Sequence, residues 1–276
     1  MRYLAFALAA VVVVLAGCGK KGEELTIKGS DTMLHVGEGW AERFRELHPD
    51  VQVAVTGGGS GTGISAIING HTQVAMASRT ADQNEKEAAE KQGKPLKEFV
   101  VGKDGIAVVV NKVNPVSELT IVQLKKIFTG EITNWKQVGG ADKDFVIYSR
   151  DTSSGSYVFF REHVLGNQEY VKSALRMAAT AALVDGVAGN EGAIGYSGLA
   201  YAQEGNVKIL PVKRDSDSEA VSPSEATIRD GSYPVSRPLM LYTLGEPKGQ
   251  ADSFIKFALG DEGQKILKGI GYVPIH

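Results

Sequence analysis

Three segments of the chain share one composition and one place in the predicted secondary structure. Each is rich in Ser, Thr and Gly, follows a predicted strand and precedes a predicted helix; the segments are residues 29–33, 57–63 and 150–156. A helix start has unpaired backbone N–H groups and a partial positive charge, and glycines let the backbone approach a ligand. Each segment is therefore a candidate anion cradle. The alternative is three helix caps, since Ser, Thr and Asp are preferred there anyway, but Arg150 in the third segment favours a site.

Around these segments, short β-rich runs alternate with helical runs, which predicts an α/β fold. Strands are expected at residues 25–28, 51–55, 74–77, 105–111, 145–150, 193–196, 207–210 and 238–243. Thr120 and Gln123 form a capping box for a helix that ends near Gly130. Residues 213–233, rich in Ser, Asp and Pro, predict a loop-rich excursion. With 276 residues the chain can form one large domain or two of moderate size.

The N-terminus predicts export. An apolar run over residues 4–15 follows Arg2 and is shorter than the roughly 20 residues that a membrane-spanning helix needs. Cys18, the single cysteine, follows small residues, and the pattern resembles the lipobox of bacterial lipoproteins. We therefore expect a lipoprotein signal peptide at residues 1–17, and a lipidated Cys18 and tether at residues 18–23. The alternative is an ordinary signal peptide with a stray cysteine.

Composition and motif spacing argue against several function classes. Thirty Lys and Arg against 32 Asp and Glu give a charge of -2, without the basic face that a nucleic-acid binder needs. A P-loop requires a lysine where Ile64 follows Gly63, and no nucleophile elbow surrounds Ser60 or Ser154. The histidines lack paired metal spacing and are expected at the surface or in caps: His35, His48, His71, His163 and His276. We assign no catalytic residue, cofactor or metal.

Behind the lipobox, and in this order, the three segments resemble the substrate-binding proteins of phosphate ABC transporters. Further motifs of the resemblance are Ala77-Ser78-Arg79, Asp104-Gly105-Ile106-Ala107, Phe128-Thr129-Gly130, Asn134-Trp135 and Gly192-Ala193-Ile194-Gly195-Tyr196. The resemblance implies an α/β, two-lobed periplasmic-binding-protein type II fold, with the ligand cleft between two α/β sheets joined by hinge strands. Lobe 1 would comprise residues 24–105 and 237–276, and lobe 2 residues 106–236. The hinge would lie after Asp104 and before Pro238.

The resemblance also implies a set of phosphate-binding residues. Lobe 1 would supply Thr32, the Met33 N–H and Ser60, and lobe 2 would supply Arg150, Ser154, Gly155 and Ser156.

One position departs from the family pattern. Better-studied members have an aspartate after the Ala-Ser pair, where it accepts a hydrogen bond from the protonated ligand, but this chain has Arg79. Arg79 is then either a second ligand arginine or an ion-pair residue at the surface or between the lobes. Asp31 is the candidate acceptor carboxylate, and Asp151 the candidate partner of Arg150.

In function, the resemblance implies a non-enzymatic, extracytoplasmic lipoprotein that captures inorganic phosphate and delivers it to ABC transporter permease subunits. We expect a monomer that contacts the membrane only through a lipid anchor such as palmitate. Three alternatives remain. The same fold can bind another oxyanion (sulfate, molybdate or tungstate) or serve in sensing; the chain can be an exported serine hydrolase using Ser60 or Ser154; or it can be a passive surface lipoprotein.

Overall fold

The computed structural model describes residues 23–276. The predicted signal peptide, Cys18 and most of the tether lie outside the described residues. Strand β1 already begins at Glu23, the last residue that the sequence assigned to the tether.

The described chain contains eleven strands and ten α-helices. The strands are β1 (Glu23–Gly29), β2 (Val51–Thr56), β3 (Val74–Ala77), β4 (Leu96–Asn111), β5 (Leu119–Thr120), β6 (Val146–Arg150), β7 (Leu175–Met177), β8 (Ala193–Gly198), β9 (Val207–Leu210), β10 (Val212–Lys213) and β11 (Ser236–Leu244). The helices are α1 (Leu34–Leu47), α2 (Ser60–Ile68), α3 (Gln83–Lys91), α4 (Ile121–Thr129), α5 (Gly155–His163), α6 (Thr180–Ala188), α7 (Leu199–Glu204), α8 (Glu225–Arg229), α9 (Gly249–Leu259) and α10 (Asp261–Ile270). Short 3₁₀ turns cover Asp31–Met33 and Trp135–Val138.

One long strand, β4, joins two sheet regions. The strand order is β2-β1-β3-β11-β4-β8-β6-β7, with β9 also paired to β4 and β5 paired to β10 separately. β4 pairs with β11 as far as Gly105, opposite Ser236, and with β8 from Ile106, opposite Gly198. We call the β11 side lobe 1 and the β8 side lobe 2. Strand β4 thus changes its partner at the predicted lobe boundary. The residue ranges of the two lobes stay a prediction.

Each lobe has its own aromatic core. In lobe 1, Phe44 of α1 packs edge-to-face on Phe254 of α9, with ring centroids 5.4 Å apart. In lobe 2, Phe160 of α5 stacks on Tyr196 of β8 at 4.2 Å. All four side chains are buried. Each lobe is thus stabilised by aromatic packing of its own, and the polar candidate site lies between the lobes.

Most element predictions are confirmed, including the capping box of Thr120 and Gln123 and the left-handed Gly130 that ends α4. One is wrong. β4 begins at Leu96, nine residues before the predicted Gly105, because its first part alternates exposed and covered positions and pairs with β11. The loop-rich excursion over residues 213–233 is confirmed, and its one helix, α8, has five residues and is capped by Ser224 and Thr227.

Within residues 23–276, we find no helix that combines the length and the apolar character needed to cross a membrane.

Candidate functional site

The three Ser/Thr/Gly segments meet between the lobes. The first two follow β1 and β2, which are parallel neighbours, so their carboxyl ends share one edge of the sheet. The third follows β6 of lobe 2 and faces them. The Gly61 N–H donates to the Ser153 carbonyl at 3.0 Å, and the Ser153 hydroxyl donates to the Gly58 carbonyl at 3.3 Å. The predicted convergence is therefore present in the structure, with direct contacts between the lobes.

Glycine is required at this contact for two reasons. Gly59 has φ +100°, which side-chain-bearing residues rarely adopt, and a Cβ there would lie 2.6 Å from the Ser153 carbonyl oxygen. A Cβ on Gly155, at the start of α5, would lie 2.3 Å from Ser60 Oγ and 2.7 Å from Ser78 Oγ. The lobes approach this closely because the glycines have no side chains.

Buried hydroxyls from both lobes line the contact. Thr32 Oγ1 of lobe 1 lies 3.1 Å from Ser156 Oγ of lobe 2. Ser60 Oγ accepts a hydrogen bond from the Ser78 N–H at 3.0 Å, and Ser78 Oγ accepts one from Ser30 Oγ at 3.0 Å. Hydroxyls can rotate to donate or accept, so this cluster can reorient toward an anion.

Two predicted donors have additional local roles. The Ser154 hydroxyl accepts from the Ser156 N–H at 3.2 Å and so caps α5, as the helix-cap alternative expected for this segment. The Met33 N–H donates to the Ser30 carbonyl at 3.0 Å within the first 3₁₀ turn. Helices α2 and α5 both begin in the contact region, which adds the partial positive charge of two helix N-termini.

Arg150 is buried, with 1 % of its surface exposed, and connects the lobes. Its Nη2 donates to Asp31 Oδ2 at 3.2 Å and to the Ala178 carbonyl at 2.8 Å, and its Nε donates to the Met177 carbonyl at 3.1 Å. Nη1 donates to the Thr180 hydroxyl. Burial lowers the pKa of Arg150, against the attraction of Asp31. The prediction that Asp151 pairs with Arg150 is wrong, because Asp31 fills that place from across the cleft.

Asp31 is held from several sides. Its Oδ2 also accepts from the Thr180 N–H at 2.7 Å, so lobe 2 gives this carboxylate a backbone donor as well as a guanidinium. The Tyr201 hydroxyl donates to the Asp31 carbonyl at 3.1 Å, and the Tyr272 hydroxyl donates to the Thr32 carbonyl. Burial raises the pKa of Tyr201, so its hydroxyl stays protonated and able to donate.

Arg79 is bound within lobe 1. Arg79 is only 6 % exposed, so the expectation of an ion pair at the surface is wrong. Its partner, Glu85, belongs to the same lobe, so the expectation of an ion pair between the lobes is wrong as well. Nη1 and Nη2 each donate to one Glu85 oxygen at 2.7 Å, and Nη1 also donates to the Thr80 carbonyl. Burial lowers the pKa of Arg79, but the bonds and charge of Glu85 outweigh it and the net pKa is raised. Both terminal nitrogens of Arg79 are thus engaged by Glu85.

A second buried ion pair, Arg237 with Asp104, was missed as part of the site. Arg237 Nη2 donates to Asp104 Oδ2 at 2.8 Å, and both side chains are fully buried. Arg237 also donates to Ser156 Oγ at 2.9 Å and to Thr32 Oγ1 at 3.3 Å, the two hydroxyls that meet across the cleft. Burial raises the pKa of Asp104 against the attraction of Arg237. The sequence offered one signal for this pair, because Asp104 lies in one of the motifs of the family resemblance. Arg237 was identified only as the first residue of the second segment of lobe 1.

Residues 23–276 contain no cluster of three or more His, Cys, Asp or Glu side chains that could hold a metal ion. Two histidines stack on aromatic rings, His35 on Tyr201 and His163 on Phe159, and His48 packs at a tilt against Phe44.

Comparisons with known proteins identify the family of the chain. The family model of the PBP superfamily domain matches residues 16–262. The phosphate-binding protein PstS of Staphylococcus haemolyticus is 36 % identical over 253 residues, which are 89 % of this chain and 79 % of that protein.

Solved structures resemble the chain as well. A phosphate ABC transporter substrate-binding protein from Clostridium perfringens, solved with bound phosphate, is 34 % identical with a TM-score of 0.84, covering 92 % of this chain and 100 % of the other. An ABC-type phosphate transport receptor from Vibrio cholerae is 31 % identical with a TM-score of 0.74, covering 91 % and 100 %.

Proposed function

The chain belongs to the PBP superfamily and to its family of phosphate-binding PstS proteins, and from this membership we propose that it binds inorganic phosphate in the cleft between its lobes for ABC transport. The observation that carries the proposal is the meeting of Thr32 Oγ1 and Ser156 Oγ, 3.1 Å apart, from opposite lobes. Such a pair can hold one anion only when the lobes are closed.

The physical basis of binding is a set of oriented dipoles. Each buried arginine of the cleft already has an aspartate partner, so these two pairs carry no net charge before the ligand arrives. The anion is then stabilised by hydroxyls, by helix N-termini and by charge-assisted guanidinium bonds, all strengthened by exclusion of water. The residues proposed for this role are Thr32, the Met33 N–H, Ser60, Arg150, Ser154, Gly155 and Ser156.

Asp31 is the proposed acceptor for a protonated ligand oxygen. Both hydrogen bonds that described residues donate to its carboxylate end on Oδ2, which leaves Oδ1 for the ligand. An unprotonated sulfate would meet a carboxylate with no proton between them, which is costly. Arg79, engaged by Glu85, we propose as a support for the Ser78 turn rather than a direct ligand.

We further propose that Cys18 carries a lipid anchor and that the protein delivers phosphate to permease subunits as a monomer without enzymatic activity. The single cysteine behind an apolar leader supports the anchor. The test is membrane fractionation of the full chain and its Cys18→Ala variant. The anchor predicts that the variant is released into the soluble fraction, and equal membrane retention would contradict it.

The ligand proposal is tested by thermal-shift titration of residues 18–276 carrying Cys18→Ala, unfolded and refolded first to remove carried-over ligand. At a phosphate concentration 1,000 times Kd, mass action adds about 4 kcal/mol, or roughly 10 °C in Tm. We expect phosphate and arsenate to shift Tm and sulfate not to. A Tm shift with sulfate, molybdate or tungstate alone would reassign the ligand. The absence of a Tm shift with any anion would contradict the proposal.

The serine-hydrolase alternative has no support at the two candidate nucleophiles. Activation of a serine requires a base within hydrogen-bond reach. Among the described residues, the hydroxyl hydrogen bonds of Ser60 and Ser154 involve only Ser78 and Ser156. Labelling of the protein by a serine-directed phosphonate would revive this alternative.

A further inference from the structure

We propose that Arg237, oriented by Asp104, is an anion-contacting residue of the cleft, acting together with the hydroxyls of Thr32 and Ser156. This inference rests on the proposed function and adds a ligand residue outside the three Ser/Thr/Gly segments.

The geometry of Arg237 accounts for all five N–H donors of its guanidinium. Nε and Nη2 donate to Asp104 Oδ2 at 3.1 and 2.8 Å, which fixes one edge of the group. The remaining N–H groups, on Nη1 and Nη2, reach the cleft. Nη1 donates to Ser156 Oγ at 2.9 Å and to the Ser78 carbonyl at 3.1 Å, and the second N–H of Nη2 donates to Thr32 Oγ1 at 3.3 Å. The terminal nitrogens of the guanidinium therefore contact one hydroxyl from each lobe.

Arg150, the arginine that the sequence assigned to the ligand, has different surroundings. Its bonds end on the carbonyls of Met177 and Ala178, the Thr180 hydroxyl and Asp31. None of these groups is among the hydroxyls at which the two lobes meet. The positive charge that lies directly among the predicted ligand hydroxyls is that of Arg237.

Hydroxyls are weaker acceptors for a guanidinium than the charged oxygens of an anion. When an anion enters, its oxygens can replace Thr32 Oγ1 and Ser156 Oγ as acceptors of the Arg237 N–H groups. The two hydroxyls then rotate and donate to the same anion. Asp104 keeps the Arg237 guanidinium in place during this exchange, because Asp104 is itself fixed: its Oδ1 also accepts from the Leu199 N–H of lobe 2 at 3.2 Å.

The position of the pair in the sheet strengthens the inference. In β4, Asp104 immediately precedes the point where the partner changes from β11 to β8, and Arg237 lies opposite Asp104 in β11. A guanidinium at this crossing stays beside both lobes when they rotate about it. It can therefore contact an anion held by either one.

The experiment is isothermal titration of refolded residues 18–276 (Cys18→Ala) with phosphate, arsenate and sulfate. The main variant combines Arg237→Gln with Asp104→Asn, which removes both charges and keeps polar groups of similar size. The control combines Arg43→Gln with Glu262→Gln, an ion pair between α1 and α10 whose side chains are 39 % and 45 % exposed. We expect at least a 100-fold rise in the Kd of the main variant and no change in the control.

A second variant distinguishes weaker anion binding from loss of folding. Arg237→Lys keeps the charge opposite Asp104 but loses the planar fork, so we expect about tenfold weaker binding with an unliganded Tm near that of the parent. Kd values within threefold of the parent in either folded variant overturn the proposal. If the parent binds sulfate instead of phosphate, the proposed function falls, and loss of sulfate binding in the variants still supports Arg237. If the parent binds no anion, both fall.

Discussion

The cleft contains two buried arginine–aspartate pairs that differ in what they join. Arg150 and Asp31 come from opposite lobes, and the Asp31 side chain is 15 % exposed. Arg237 and Asp104 come from neighbouring strands at the crossing, and neither side chain is exposed. The first pair can separate when the lobes open, whereas the second stays intact. The Arg150–Asp31 pair therefore favours closure in addition to placing Arg150 in the cleft, whereas the Arg237–Asp104 pair holds Arg237 at the crossing whether the lobes are open or closed.

The largest effect should come from breaking the pair between the lobes. Arg150→Gln leaves Asp31 without its partner and loses a charge that four acceptors hold, so we expect a loss of about 3 kcal/mol in the free energy of unfolding. Urea unfolding without phosphate measures it. Arg43→Gln, which breaks an exposed pair, serves as the control and should show no measurable loss. A loss below about 1 kcal/mol for Arg150→Gln would mean that this pair contributes little.

Closure itself can be blocked without touching either pair. The Cβ of Gly155→Ala would meet Ser60 Oγ and Ser78 Oγ of the opposite lobe, a clash present only when the lobes are closed. We expect phosphate to bind about 100-fold more weakly, equivalent to about 2.7 kcal/mol, and the unliganded variant to have a larger radius of gyration because its lobes no longer close. The matched control is Gly269→Ala, where no heavy atom lies within 4 Å of the added Cβ. Equal affinity of the two variants would show that closure does not require this contact.

A milder change tests Asp31 alone. Asp31→Asn keeps an oxygen for the Thr180 N–H but removes the charge facing Arg150. We expect about tenfold weaker phosphate binding, or about 1.4 kcal/mol, and a larger radius of gyration without ligand, as measured by small-angle X-ray scattering. Asp151→Asn is the comparison, since Asp151 adjoins Arg150 in sequence but is not its ion-pair partner. A larger effect at Asp151 would reverse the assignment.

The smallest effect concerns pH. Because burial raises the pKa of Asp104 in the folded state, its stabilising contribution is present below the unfolded pKa of about 3.9 and is lost as pH rises through the folded value. The free energy of unfolding, wild type minus Asp104→Asn, should therefore fall with rising pH by about 1.4 kcal/mol per unit of raised pKa. Urea unfolding from pH 4 to 8 measures this. A rising difference would show that Arg237 attraction exceeds the burial cost.

Local sequence patterns predict the strands, the turns and the capping of α5 because each depends on residues a few positions apart. The parallel pairing of β1 and β2 then brings two of the Ser/Thr/Gly turns to one edge, as expected for an α/β sheet. The hydroxyl residues of the site follow from these turns.

The ion pairs of the site follow different rules. Arg150 and Asp31 are 119 positions apart, and Arg237 and Asp104 are 133 apart. No local pattern links such residues, so Asp151 was a natural but wrong partner for Arg150. The first part of β4 was missed for a related reason. Its charged and apolar residues gain a strand partner only when β11, far along the chain, pairs with them.

The anion contacts of the cleft can be observed in a crystal of the refolded protein grown with arsenate, with an anomalous difference map recorded at the arsenic edge. We expect one arsenic peak in the cleft, with the arsenate oxygens within about 3 Å of Thr32 Oγ1, Ser156 Oγ and the terminal nitrogens of Arg237. A peak outside the cleft, or one bound by Arg150 with Arg237 still closed onto both hydroxyls, would contradict this expectation.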